Sequence, residues 1–173
     1  DAMIAGLKGT CAGDVVLLHG CCHNPTGADL SLEQWQRVGD ILTARRLLPL
    51  VDFAYQGFGD GLEQDAAGLR ALLEGVPEML VTSSFSKNFG LYRERVGALT
   101  AVTASEETAA NVLSQLKVCV RTNFSNPPAH GSAIVTEILQ DTTLRAQWEV
   151  EVAQMRDRIN GMRTLLVDKL QEH

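Results

Sequence analysis

Val15-Val16-Leu17-Leu18, the loop Asn24-Pro25-Thr26-Gly27, the pair Ser31 and Gln34, and the run Leu48-Pro49-Leu50-Val51-Asp52 together decide the fold. Four consecutive apolar residues bounded by turn formers read as a short buried strand. The loop residues favour turn geometry. Ser31 and Gln34 have capping-box spacing, in which each side chain satisfies the other's backbone N–H. The helix they open is predicted to run to about Arg46. The second apolar run reads as another strand, although Pro49 removes a ladder donor and so favours an edge or a strand start.

The same alternation continues outward. Met79-Leu80-Val81-Thr82-Ser83-Ser84 and Ala98-Leu99-Thr100-Ala101-Val102 read as a third and a fourth strand. Ser105 caps a helix whose first turn carries Glu106 and Glu107, where negative charge is favoured. Ser125-Asn126-Pro127-Pro128 breaks the chain before another helix. From Asp141 onward, Leu144, Trp148, Val152, Met155, Ile159, Met162, Leu166 and Leu170 step by three and four. That pattern is one apolar stripe on a long helix, expected to pack intramolecularly. Strands alternating with helices predict an α/β fold with a mostly parallel sheet flanked by helices. In such sheets ligands sit beyond the carboxyl ends of the strands.

The 173 residues suit one domain, or one domain plus a piece of another. With 45% hydrophobic and 21% charged residues there is enough apolar material for a core, so a disordered chain is not expected. No apolar run is long enough to span a bilayer. The formal charge of −6 repels phosphate backbones, so nucleic acid is not an expected partner. Of the four cysteines, Cys21 and Cys22 are adjacent and poorly placed for an unstrained bridge. Reduced thiols in a cytoplasmic protein are expected, and no secretory signal opens the chain. The chain starts at Asp1 without an initiator methionine and stops inside a helical pattern. The expectation is therefore an internal piece of a longer protein.

Three strand ends carry the candidate chemistry. The first leads to His19-Gly20-Cys21-Cys22-His23-Asn24, the second to Asp52 and Tyr55, and the third to Ser84-Phe85-Ser86-Lys87, with Arg95 further on. Alone, Asp52 reads as a cap or a surface turn, and Lys87 as a solvated lysine. Together they form a pattern: an amine, a cradle of hydroxyls and a guanidinium suited to phosphate, and a separate carboxylate. Pyridoxal phosphate needs a lysine for its aldehyde, donors for its phosphate and a carboxylate for its ring nitrogen. Asn24 and Tyr55 could donate to its ring oxygen.

His19-Gly20-Cys21-Cys22-His23-Asn24-Pro25-Thr26-Gly27, Asp52-Phe53-Ala54-Tyr55-Gln56-Gly57 and Ser84-Phe85-Ser86-Lys87-Asn88-Phe89-Gly90-Leu91-Tyr92 resemble the class I aspartate/aromatic-amino-acid aminotransferases, particularly the bacterial branch. Glu94-Arg95-Val96-Gly97 and the stretch from Arg121 to Pro128 extend the resemblance over essentially the whole chain. It implies the fold of fold-type I pyridoxal-phosphate transferases, with residues 1–141 as part of the large cofactor-binding domain. Residues 142–173 would be the long helix leading to a small domain. It implies that Lys87 links to the cofactor and shuttles a proton, and that Asp52 pairs with the ring nitrogen, with His19 supporting Asp52. Asn24 and Tyr55 would bind the ring oxygen, and Ser84, Ser86 and Arg95 the phosphate. Asn24 and Arg121 would meet the substrate, Arg121 by reaching across a homodimer to a dicarboxylate side chain.

The implied reaction is ping-pong transamination between an amino acid (aspartate or glutamate, with aromatic residues also in range) and a 2-oxo acid. The alternatives are another fold-type I pyridoxal enzyme, such as a β-decarboxylase, or a non-catalytic fragment. Arg93 stands where many aspartate-specific relatives carry another polar residue, at a position that does not touch cofactor. The family's cofactor-stacking aromatic ring, its upstream glycine-rich phosphate loop and its downstream arginine for the substrate α-carboxylate have no counterpart here. The fragment alone is expected to be inactive. Cys21-Cys22-His23 with His19 has ligand-type residues but no second ligand pair from another segment, so no metal is expected. Trp35 and Trp148 are expected in the core, and His130 in local structure only.

Overall fold

The computed structural model describes residues 2–172; Asp1 and His173 lie outside them. In chain order the elements are α1 (Ala2–Lys8), β1 (Val15–His19), α2 (Leu32–Arg45), β2 (Leu48–Phe53), α3 (Leu62–Asp65), α4 (Ala67–Gly75), β3 (Met79–Ser84), β4 (Gly97–Val102), α5 (Glu106–Asn123), α6 (His130–Gln140) and α7 (Thr142–Gln171). One sheet runs β1-β2-β3-β4. β1, β2 and β3 are parallel, and β4 is antiparallel to β3. The α/β architecture expected from the alternating pattern is therefore present.

Local chemistry explains the element boundaries. Ser31 accepts from Gln34 N at 3.3 Å, and Gln34 Oε1 accepts from Ser31 N at 2.8 Å, so the capping box is complete at the start of α2. Asp141 caps α7 by accepting from the N–H groups of Thr143 and Leu144. Pro49 lies in an interior strand, not at an edge. It is tolerated because pairing with β3 begins only at Leu50, beyond the proline. Helices α3 and α4 lie in a stretch with no sequence-level element, where glycines at 57, 59, 61, 68 and 75 obscure the helical period.

Helices α2 and α4 are the crossovers between parallel strands, and they pack side by side on one sheet face. Register and alternation decide what they cover. Leu18, Val51 and Val81 are in register on adjacent strands and all buried. They form a core with Trp35, Val38 and Leu42 of α2, Leu72 of α4, and Met79. Because side chains alternate along a strand, His19, Asp52, Thr82 and Ser84 project to the opposite face. Gly20 follows β1 where a Cβ would lie 2.0 Å from the Phe53 ring, so only glycine lets the chain leave the sheet there.

The long stripe on α7 is less buried than its pattern predicts. Val152 is buried and Trp148 partly so, but Met155, Ile159, Met162, Leu166 and Leu170 are exposed. Helix α5 has no buried residue among those described.

Candidate active site

The carboxyl ends of β1, β2 and β3 bring three segments together. His19 is the register partner of Asp52, and Asp52 of Thr82, so the carboxylate sits between a histidine and a hydroxyl on neighbouring strands. After β1 the chain enters a loop that carries Asn24. The Asp29 carboxylate fastens this loop by accepting from Cys22 N at 2.6 Å and His23 N at 2.8 Å. The His23 ring lies 4.6 Å from that of His19. From this loop Asn24 Nδ2 donates to Tyr55 Oη at 3.1 Å. Lys87 Nζ lies 4.5 Å from the centroid of the Tyr55 ring, over its π face, an electrostatically favourable place for an ammonium. Asn24, Tyr55 and Lys87 thus form one cluster, although they come from three separate segments.

The turn after β3 is built from small hydroxyls. Ser86 is buried, and its N–H donates to Ser84 Oγ at 3.2 Å. Phe85 N donates to Val96 O, extending the β3–β4 pairing one step beyond Ser84 and Gly97. Ser86 and Arg95 are the next residues along these two chains. Arg95 has a left-handed backbone (φ 51°), and its guanidinium donates to Tyr92 O at 3.0 Å. Arg121 is not part of this cluster. It lies exposed on α5, where it bonds to the Ser125 hydroxyl and borders a shallow groove with Lys117 and Val118.

Cys21, Cys22 and Asp65 place sulfur and carboxylate atoms within 4.8 Å of one another. Sequence spacing could not reveal Asp65 as a third group. Both of its oxygens are engaged, however. Oδ2 accepts from the N–H groups of Gly57 and Gly59, and Oδ1 from those of Asp60 and Gly61. Its chemistry is that of a loop anchor. The Cys21 thiol is pushed up by its hydrogen bond to Cys22 and by burial, so it keeps its proton, whereas sharing that bond pulls Cys22 down. All four thiols are free.

Four supporting residues were not visible in the sequence: Asp29, Asp65, Asn88 and Trp148. The only available signal was the spacing of Gly57, Gly59 and Gly61, whose bare N–H groups need an acceptor. Trp148, expected simply in the core, is half-buried and donates its indole N–H to Asn88 O at 2.7 Å. His130, expected in local structure only, instead pairs across 36 residues with Glu94 at 2.9 Å.

Comparison with known proteins places these features in context. The family described as aminotransferase class I and II matches residues 1–173. The chain is 56% identical over 172 residues to an aspartate aminotransferase of Escherichia coli, covering 99% of this chain and 43% of that protein. It is 54% identical over 173 residues to an aromatic-amino-acid aminotransferase of Pseudomonas aeruginosa, covering 100% of this chain and 43% of that protein. Its fold superposes with a TM-score of 0.97 and 53% identity on a crystal structure of the aromatic-amino-acid aminotransferase from Burkholderia pseudomallei covalently bound to pyridoxal phosphate. That match covers 99% of this chain and 43% of that one. The chain therefore spans less than half the length of the relatives it matches.

Proposed function

Because this chain belongs to the aminotransferase class I and II family, we propose that its Asn24–Tyr55–Lys87 cluster and Asp52 form the cofactor-side half of a pyridoxal-phosphate-dependent transaminase site. The observation that carries the reading is the convergence of an amine, a phenol and an amide at the strand ends, with Lys87 Nζ 4.5 Å from the Tyr55 ring centroid. The donor set suits the cofactor, because each of its polar groups has a counterpart of the right chemistry. Bound pyridoxal phosphate supplies an aldehyde for the amine and an electron sink for the bond broken at the substrate Cα.

The protein groups supply the rest. Lys87 Nζ would take the proton from the substrate Cα and return it on the cofactor side, a general acid–base role. The Asp52 carboxylate would hold the proton on the ring nitrogen. Asn24 already donates to Tyr55 Oη, which leaves the phenolic proton free to donate to the ring oxygen. Ser84, Ser86 and Arg95 would hold the phosphate, the serines with hydroxyl donors and the arginine with its guanidinium. His19, in register with Asp52, supports that carboxylate.

Arg121 lies exposed on α5, bonded to Ser125, a placement that suits a residue serving the second subunit of a homodimer. There it would select the side-chain carboxylate of aspartate or glutamate. The similarity to both aspartate and aromatic-amino-acid aminotransferases favours a substrate range that includes aromatic residues. Transfer would proceed in two half-reactions, from amino acid to cofactor and from cofactor to a 2-oxo acid. Residues 1–141 belong in this reading to the large domain, and residues 142–173 to the helix leading out of it. Four free thiols suit a reducing compartment such as the cytoplasm.

In the full-length protein, Lys87→Ala is expected to lower transamination by at least about 10²-fold, the lower end of general acid–base contributions. It should also remove the borohydride-trapped label from the Lys87 peptide. Undiminished turnover would discard the assignment. The 173-residue chain alone is expected to show no turnover, since it spans only 43% of its relatives.

A further inference from the structure

Asp65 lies buried beneath the loop that follows Tyr55, and all four of its hydrogen bonds go to that loop. Oδ2 accepts from Gly57 N at 2.8 Å and Gly59 N at 3.0 Å, and Oδ1 from Asp60 N at 2.8 Å and Gly61 N at 3.4 Å. Gly57 adopts φ 98°, and a Cβ there would meet Val152 at 2.6 Å, so the loop follows this path only with glycine. The bond to Gly57 N has a further consequence. That N–H and the Gln56 carbonyl belong to one planar peptide unit. The carbonyl accepts from Asn88 Nδ2 at 3.2 Å, and Asn88 is the residue after Lys87.

One rigid peptide is thus held at its N–H end by Asp65 and at its carbonyl end by Asn88, with Tyr55 on one connected segment and Lys87 on the other. Asn88 is 5% exposed, and its backbone is anchored from the far side, where the Trp148 indole donates to its carbonyl at 2.7 Å. Trp148 also stacks on Phe89 at 4.5 Å, which holds the next residue of the same turn.

We propose that Asp65 and Asn88 are positioning residues that, through the Gln56–Gly57 peptide, set the separation of Lys87 from the Tyr55 ring. The inference rests on the reading of Lys87 and Tyr55 as cofactor-side groups. Neither Asp65 nor Asn88 is assigned a contact with cofactor or substrate; both act through the backbone. If the bridge loosens, Tyr55 no longer reaches the cofactor's ring oxygen in line. Negative charge on the cofactor's ring oxygen then loses a donor, so the bound chromophore gives up a proton less readily. The pH midpoint of the bound cofactor's visible absorbance should rise.

Two measurements on the full-length holoenzyme test this. In the unaltered protein, the Gly57 amide is expected to exchange hydrogen as slowly as the β2 amides; exchange at the rate of an exposed loop overturns the clamp without any variant. Asp65→Asn and Asn88→Asp each keep the side-chain shape while weakening one end of the bridge. Each is expected to raise the absorbance midpoint by about half a pH unit. The double variant should shift it by less than the sum, because both changes act on one peptide. Leu72→Ala, buried in the core behind the sheet, should lower Tm and leave the midpoint unmoved. Unmoved midpoints in the bridge variants, additive shifts, or an equal shift from Leu72→Ala overturn the positioning role. If neither bridge variant folds, the Gly57 exchange rate decides. A wild-type protein lacking any visible band overturns the reading of Lys87 instead, so the two failures are distinct.

Discussion

Tyr55 shows how one side chain can serve two neighbours. Its ring faces Lys87 Nζ, and its oxygen accepts from Asn24 while keeping a proton to donate. Tyr55→Phe keeps the ring and removes the donor. The expected loss is about 1.5–3 kcal/mol, the usual worth of a hydrogen bond to a charged partner. That corresponds to a roughly ten- to hundredfold weaker Kd for pyridoxal phosphate, measurable by titration of the apoenzyme. An unchanged Kd would remove Tyr55 from the site. Arg121 makes a different prediction, because it stands apart from this cluster. Arg121→Leu is expected to reduce kcat/KM for aspartate and glutamate strongly while sparing phenylalanine and tyrosine. Equal losses for both classes would contradict its proposed role as selector of dicarboxylates.

At the scale of elements, helix starts carry the clearest local code. Ser31 and Gln34 announced α2 through a reciprocal cap, and that cap is present in full. Ser31→Ala is expected to destabilise the fold by about 1 kcal/mol, read from urea denaturation. The core makes a larger demand: Leu72 is fully buried between α4 and the sheet, so Leu72→Ala should cost about 2–5 kcal/mol. The strands were equally readable, because short apolar runs ended at polar residues. Asn24, Asp52, Tyr55 and Lys87 stood out for the same reason. Asp65 and Asn88 did not, since bonds to backbone atoms leave no pattern of residue types. Helix α4 was hidden by its glycines, of which Gly68 serves close packing against Trp35.

At the scale of the whole molecule, one face of the sheet is covered and much of the rest is open. Val15 and Leu17 on β1, Leu113, Val118 and Phe124 on α5, and the outer half of the α7 stripe are exposed apolar surface. Contiguous exposed apolar area drives association. The 173-residue chain alone is therefore expected to elute in light scattering above its 18.8 kDa monomer mass. A monomer at micromolar concentration would show that this surface needs no cover.

Strand positions, the capped helix starts and the candidate site side chains follow from local order along the chain, because periodicity and capping act over a few residues. The contacts among these residues and their supports do not. Asn24 meets Tyr55 across 31 residues, Asn88 meets Gln56 across 32, and Trp148 meets Asn88 across 60. Sheet register and the anchoring of loops by the Asp29 and Asp65 carboxylates create those meetings. Both depend on which strands become neighbours and which face the helices cover, a cooperative outcome of packing that no short stretch of residues encodes.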